Sequence, residues 1–509
     1  MEQERVLPVG IQSFEVLRSQ GYLYVDKTTM MYRLAATSIP YFLSRPRRFG
    51  KSLLLSTFKA YFEGRKDLFE GLAISKLETE WETYPILYLD LNAEKYESVA
   101  YLEAILSRNI DVWENLYGKN EGEQTLSGRF EGVIRRAYEK TGKRVVVLID
   151  EYDEPLSKEY HSTLKSFYGV LKSSGQYLRF LFLTGVTKFA QVSVFSDLNH
   201  LLDISPADDY ASLCGITKDE LLHYFTPEIK RVAQKQNMTF EEAVAKMTQQ
   251  YDGYHFAYNA QGVFNPFSVL SALTLGDFGN YWFQTGAPTY LVNLLKESDY
   301  DLRLLIDGIE IKPSAFMEYR ADANNPVPMI YQSGYLTITH YDKKLGLYTL
   351  SFPNDEVRYG FLEYLMPYYT SVTFDASGFH IAKFYTEIES GNIEAFMERM
   401  KLFFEKIPYS LNNNNEKHYQ AIFYVIFTLI GQYIEVEVQS AQGRADAVVK
   451  TKDYIYVFEF KLNGTAEEAI CQIDDKGYLI PYQLDGRKPV KIGVAFNKRK
   501  RNIHHFIVA

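Results

Sequence analysis

The chain has 509 residues, 46% hydrophobic and 23% charged, a composition that excludes wholesale disorder and fibrous architectures. It is too long for one core, because cores stop growing near about 250–300 residues, so two or three domains are expected. The formal charge of −9 hides a division: residues 401–509 carry 15 Lys+Arg against 12 Asp+Glu, a net of +3, and residues 1–400 carry 40 against 52, a net of −12. An acidic body with a mildly basic C-terminal piece is compatible with a partner of negative charge.

The first ten residues, MEQERVLPVG, carry charge where a signal peptide needs its apolar core, so a cytoplasmic location is expected. From Pro40 to Val186 short β-rich apolar runs alternate with helical ones. Tyr41–Leu43, Ile86–Leu91, Val145–Ile149 and Phe180–Leu183 predict strands of a parallel sheet covered on both faces, an α/β core.

Behind the first of these strands stands Arg45-Pro46-Arg47-Arg48-Phe49-Gly50-Lys51-Ser52, followed by a helix-forming run from Leu53 to Phe62. Strand, loop and helix N-terminus in that order suit a phosphate: backbone N–H groups face its oxygens, the Lys reaches them, and the Ser hydroxyl takes Mg²⁺. Arg45 occupies the place where the usual pattern has Gly. For Arg45, Arg47 and Arg48, phosphate contact, a neighbouring subunit and plain surface charge all stay open.

Val145–Ile149 runs into Asp150-Glu151. In phosphate-loop enzymes the first acid supports Mg²⁺ and the next polarises the attacking water. Phe180–Leu183 likewise ends in Thr184, the expected sensor of phosphate or water, with Thr187 as second choice.

Helical patterning follows from Gly215 to about Leu275, with capping boxes expected at Thr217/Glu220 and Thr239/Glu242. Gly334–Ile338 and Leu347–Phe352 read as a hairpin. Helices are expected to dominate from Ala382 to Ile407, then a break at Leu411–Asn415.

Beyond it an apolar helix runs over Tyr419–Ile430, whose stretch from Ala421 is well short of the roughly 18–20 residues that cross a bilayer. Strands at Tyr433–Val438, Ala445–Lys450 and Ile455–Lys461, a helix at Ala466–Gly477 and a strand at Val490–Phe496 complete the reading. Cys214 and Cys471 are the only cysteines, too few for a disulfide framework or a Cys-rich zinc site.

This last stretch holds a second constellation. Two strands joined by a short turn bring Asp446 beside Glu459, and Lys461, two residues on, emerges on the same strand face as Glu459. Two hard-oxygen ligands and an ammonium suit metal-assisted phosphodiester hydrolysis. Glu416 is an expected extra metal ligand, and Gln472 and Lys476, one helical turn apart, are expected contacts to nucleic-acid phosphate; Tyr478 stands close by. Glu435 and Glu437 are rival acids, read as solvated strand charges, and Lys498–Arg501 as a solvated basic run.

With both sets of residues in hand, the chain resembles the bacterial AAA-ATPase-like family fused to a C-terminal PD-(D/E)XK nuclease-superfamily domain. The resemblance rests on Arg45–Ser52, Tyr24–Thr28, Asp150–Asp153, Leu198–Leu201, Tyr251–Tyr254, Asn265–Ser268 and Tyr281-Trp282 with Thr285-Gly286, and Arg45 in place of Gly is that family's own form. It implies an α/β multidomain chain: a P-loop core at 1–214, a helical lid at 215–280, a middle winged-helix-like region at 281–404 and a restriction-endonuclease-like domain at 405–509. It further implies ATP held by Arg45–Ser52, Asp150 and Thr184, with Mg²⁺ on Ser52 and Asp150 and water activated by Glu151. At the nuclease end it implies Mg²⁺, or Mn²⁺, on Asp446 and Glu459. The expected activity is an ATPase coupled to a metal-dependent nuclease, on DNA before RNA, with no membrane and with a homo-oligomer left open. The alternative is a nucleotide-gated binding or signalling module whose last domain recognises a partner without cutting.

Overall fold

A computed structural model describes residues 5–92, 98–153, 160–187, 200–283, 289–297, 300, 304–305, 308–316, 325–369, 373–405, 416–431, 435–438, 445–461, 464–497 and 502–509. The chain forms two compact units, residues 1–285 with 310–354 and residues 286–309 with 355–509. The hairpin expected in a separate middle region thus belongs to the first unit, and the segment 281–404 is divided between the two.

The first unit is built on five parallel strands: β1 (Tyr41–Ser44), β2 (Ile86–Asp90), β3 (Val145–Asp150), β4 (Leu178–Gly185) and β5 (Leu202–Asp203), side by side in the order β2-β3-β4-β1-β5. Every residue of β3 is buried, as its unbroken apolar run requires when helices cover both faces. Helices Val99–Tyr117 and Leu126–Thr141 connect β2 to β3, and His161–Ser173 connects β3 to β4. Because β1 lies between β4 and β5 and the chain doubles back there, the loop after β1 opens at the C-terminal edge, where parallel sheets gather ligands.

Three helices, Lys218–Lys235, Phe240–Tyr251 and Pro266–Leu275, close on a core of Leu221, Phe225, Ile229, Met247, Val269 and Leu273. Both capping boxes form, and Asn265 caps the third helix with Pro266 at its first turn. Strands β6 (Ile309–Ile311), β7 (Thr337–Asp342) and β8 (Leu347–Ser351) make a small sheet with β7 and β8 antiparallel. Gly253 (φ 92°) holds that hairpin against the helices: a Cβ there would strike the Pro353 carbonyl oxygen, and Asn354 donates to the Asp252 carbonyl at 2.8 Å.

The second unit packs helices Asp355–Tyr369, Phe374–Glu389, Ile393–Glu405 and Glu416–Ile430 with strands β9 (Glu435–Val438), β10 (Ala447–Lys450), β11 (Tyr454–Lys461), β12 (Lys488–Asn497) and β13 (Asn502–Val508). The strands lie in sequence order; only β11 and β12 run parallel, joined through the helix Ala466–Asp475. The helical stretch expected over Ala382–Ile407 falls on two helices, which part at Ser390-Gly391-Asn392, where Gly391 takes a φ of 79°. Phenylalanines knit the unit together: Phe423 lies 4.2 Å from Phe460 and Phe427 lies 4.8 Å from Phe458. Among the described residues no helix is long and apolar enough to cross a membrane.

Candidate active sites

In the first unit β1 ends at Ser44, and the loop turns into the helix Lys51–Phe62 through Arg48 (φ 69°) and Gly50 (φ 91°), the helix cap. The loop start is tied down by Arg45 N–H donating to the Gly185 carbonyl at 3.1 Å. Its side chains divide. Pro46 and Phe49 are buried, the latter edge-on to Tyr254, whereas Arg47 and Arg48 are exposed. Arg45 corrects the expectation of a phosphate contact. Its buried guanidinium donates to the carbonyls of Ser44, Ser205 and Tyr210 and sits 4.1 Å from the centre of the Phe256 ring, so it anchors the loop.

Lys51, buried at the helix start, meets Glu151 Oε1 at 3.0 Å and donates to the carbonyls of Arg45 and Pro46. Asp150 ends β3 beside it. Burial pushes its carboxyl pKa up, and the hydroxyls of Ser52 and Thr184 counter that, Thr184 donating to Oδ1 at 2.5 Å. Thr184 is therefore a hydrogen-bonding partner of the expected metal acid.

Glu151 follows in a left-handed turn (φ 50°), uncommon for a side-chain-bearing residue and typical of functional sites. Its Oε2 is buried with no hydrogen-bond partner among the described residues. Asp153 explains how the turn is held. It accepts from Val186 N and from both Thr187 N and Thr187 Oγ1, and Tyr152 donates its hydroxyl to the Thr187 carbonyl. Burial, then the neighbouring Glu151, push the Asp153 carboxyl up. Thr187, the second-choice sensor, is thus committed to Asp153.

Sequence reasoning passed over what lies next to Gly50. A cleft of about 630 Å³ is walled by Pro8, Leu17, Leu23, Val25, Leu213 and Pro266, with Gly50, Leu53 and Leu54 as its floor. Four chain segments build it; Tyr24–Thr28 and Asn265–Ser268 were visible in the sequence without a role, and nothing there brought them to Gly50.

In the second unit, antiparallel pairing of Ala447 with Phe458 sets Asp446 level with Glu459. Asp446 Oδ2 accepts from Phe460 N at 2.8 Å, and the two carboxylates stand close enough to repel. Glu459 is 4% exposed, and its carboxyl is pushed up to about 7 by burial first and by Asp446 second. Lys461 Nζ lies 3.4 Å from Glu459 Oε1, while Glu459 Oε2 is buried with no hydrogen-bond partner among the described residues.

Gln472, expected as a phosphate contact, spends its amide inside the site. Its oxygen accepts from Lys461, and its nitrogen donates to Glu459 Oε1 and, at 3.3 Å, to the Tyr478 hydroxyl. It positions Lys461 and Glu459. Lys476 is exposed at the end of the same helix. The Glu416 and Glu437 side chains and Lys498–Arg501 lie outside the described residues; Glu435 is an exposed partner of Lys450 at 2.6 Å.

Among the described residues no three His, Cys, Asp or Glu gather into a metal cage. Two carboxylates fit Mg²⁺ all the same, since that ion keeps several waters and takes one or two carboxylates plus substrate phosphate. The buried Glu459 Oε2, which has no hydrogen-bond partner among the described residues, is the atom that would take such a cation.

A pH dependence follows. Folded Glu459 holds a proton that the unfolded chain releases between the ordinary value of 4.5 and about 7, so without metal the folded state loses stability as pH rises through that window. Calorimetric melting should show the second unit's transition falling across it. Mg²⁺ or Mn²⁺ should restore the transition at the upper end, and Glu459→Gln should flatten both effects. A transition in the parent chain that does not move with pH would contradict the assignment.

Comparison with known proteins places these two sites in matched regions. The predicted AAA-ATPase family matches residues 8–195, and the PD-(D/E)XK nuclease superfamily matches residues 414–506. The chain is 31% identical over 522 residues, 99% of its length and 98% of the relative's, to the "uncharacterized protein in vnfD 5'region" of Azotobacter chroococcum mcd 1. Among solved structures it is similar to the Walker-type ATPase PABY2304 of Pyrococcus abyssi, at 14% identity and a TM-score of 0.32, over 70% of this chain and 97% of that one. It is also similar to Cdc6p of Pyrobaculum aerophilum, at 10% identity and a TM-score of 0.25, over 67% and 94%.

Proposed function

Since the chain belongs to the predicted AAA-ATPase family and carries a PD-(D/E)XK nuclease-superfamily domain, we propose that it hydrolyses ATP and, in its second unit, cuts nucleic acid, DNA before RNA, with Mg²⁺ or Mn²⁺. One observation carries the reading. In each unit a lysine pairs with one oxygen of a buried glutamate and leaves the other oxygen open, Lys51 with Glu151 and Lys461 with Glu459. A carboxylate so placed accepts a proton or ligates a cation, and the lysine beside it meets phosphate charge.

In the first unit the backbone of Pro46–Gly50 and the helix N-terminus receive the phosphates, and Lys51 exchanges Glu151 for their oxygens. Ser52 and Asp150 would hold the cation, and Glu151 takes the proton from the attacking water. The base lies in the apolar cleft beside Gly50. In the second unit Asp446 and Glu459 hold the cation, which when bound supplies Lewis acidity and an activated water. Gln472 keeps Lys461 over Glu459, where its ammonium orients the water and balances charge growing on the phosphate.

The test is incubation of the full chain with single-stranded, duplex and branched DNA and RNA, with Mg²⁺ or Mn²⁺ and with or without ATP. Cleavage of a DNA member supports the reading. Nucleotide-dependent binding to the whole panel with no strand cut would establish the binding module in its place.

A further inference from the structure

Lys27 is the one charged side chain among the residues lining the apolar cleft beside Gly50. It is 8% exposed, and a lone ammonium among such walls is costly unless paired. Glu220 supplies the pairing. Both its oxygens accept from Lys27 Nζ at 2.6 Å, and Oε2 also accepts from Thr217 N at 2.8 Å within the capping box of the helix Lys218–Lys235. The lysine is therefore fixed from behind by a carboxylate that is itself fixed. Of the three N–H bonds of an ammonium two are used, and the third has no acceptor among the described residues.

We propose that Lys27 is a specificity-determining residue that reads the base of the nucleotide: held from behind by Glu220, it donates its third N–H to a ring-nitrogen acceptor of a base in the cleft. This rests on the nucleotide site proposed above. A base with an unprotonated acceptor nitrogen there, as N1 of adenine, satisfies that donor. Hypoxanthine carries a hydrogen on that nitrogen, which sets a donor against the lysine's own donor. The apolar walls accept the ring faces and carry no further discrimination.

The experiment is titration of ATP and ITP, with Mg²⁺, into the full-length parent, Lys27→Met, Glu220→Gln and Lys51→Ala, folding being checked by circular dichroism. The parent should prefer ATP to ITP. Lys27→Met should weaken ATP about tenfold and bring the two nucleotides within about twofold of each other. Glu220→Gln keeps the lysine but weakens the pairing that fixes it, so it should narrow the ratio mainly by weakening ATP. Lys51→Ala should weaken both nucleotides while keeping their ratio, because it acts on phosphates alone.

A Lys27–Glu220 pair that merely ties the N-terminal segment to the helix would change both affinities together and leave the ATP:ITP ratio of Lys27→Met and Glu220→Gln at the parent value. That result overturns the inference while the nucleotide reading survives. A parent chain that binds neither nucleotide overturns both.

Discussion

Lys461→Ala should lower metal-supported phosphodiester cleavage by the full chain at least a hundredfold, about the effect of removing one charge-stabilising donor from an active site, with ATP turnover unchanged. The side chain is partly open and makes two contacts, to Glu459 and to Gln472, so its loss leaves the apolar core around Phe458 and Phe427 intact. What changes is electrostatic. Glu459, already pushed up by burial and by Asp446, loses the Lys461 ammonium that lowers it, and the site loses the ammonium proposed to meet the phosphate. Arginine should not rescue the variant, since a planar guanidinium does not replace a point charge held by one amide oxygen. Gel assays of strand cleavage, with melting temperature as the control for folding, read the result. Cleavage equal to that of the parent would remove Lys461 from the chemistry.

Glu151→Gln should leave ATP binding in place and lower phosphate release about a hundredfold or more, within the usual range for a lost general base. Glutamine keeps the shape, and the left-handed turn is set by Asp153 and Tyr152 clamping the end of β4. An amide oxygen, however, takes no proton from water. The same substitution releases Lys51 from its 3.0 Å ion pair, so phosphate binding should hold or tighten. Equal phosphate release by parent and variant would assign the proton transfer elsewhere.

The parts of both sites that were readable in the sequence are those that depend on neighbours along the chain. Gly50-Lys51-Ser52 follows a strand and opens a helix, Asp150-Glu151 ends a buried run, and Glu459 and Lys461 share a face because strands alternate. The features that were not readable depend on residues far apart. Arg45 is turned inward by carbonyls 160 and more residues away, which no local pattern announces. The hairpin around Thr337 joins the first unit through Gly253 and Asn354, contacts between segments that look unrelated. Gln472 turns its amide to Lys461 and Glu459, which helix spacing does not announce, because it gives a face and not a partner. The apolar cleft needs four separate segments at once, so only the structure brings Lys27 to it.

The most direct test of two phosphate chemistries in one chain is a single reaction with plasmid DNA, ATP and Mg²⁺ in which phosphate release and DNA nicking are followed together for parent, Glu151→Gln and Lys461→Ala. The parent should do both, Glu151→Gln should lose phosphate release, and Lys461→Ala should lose nicking while still releasing phosphate. A parent chain that neither releases phosphate nor nicks DNA, or a Lys461→Ala chain that nicks as fast as the parent, would contradict the account.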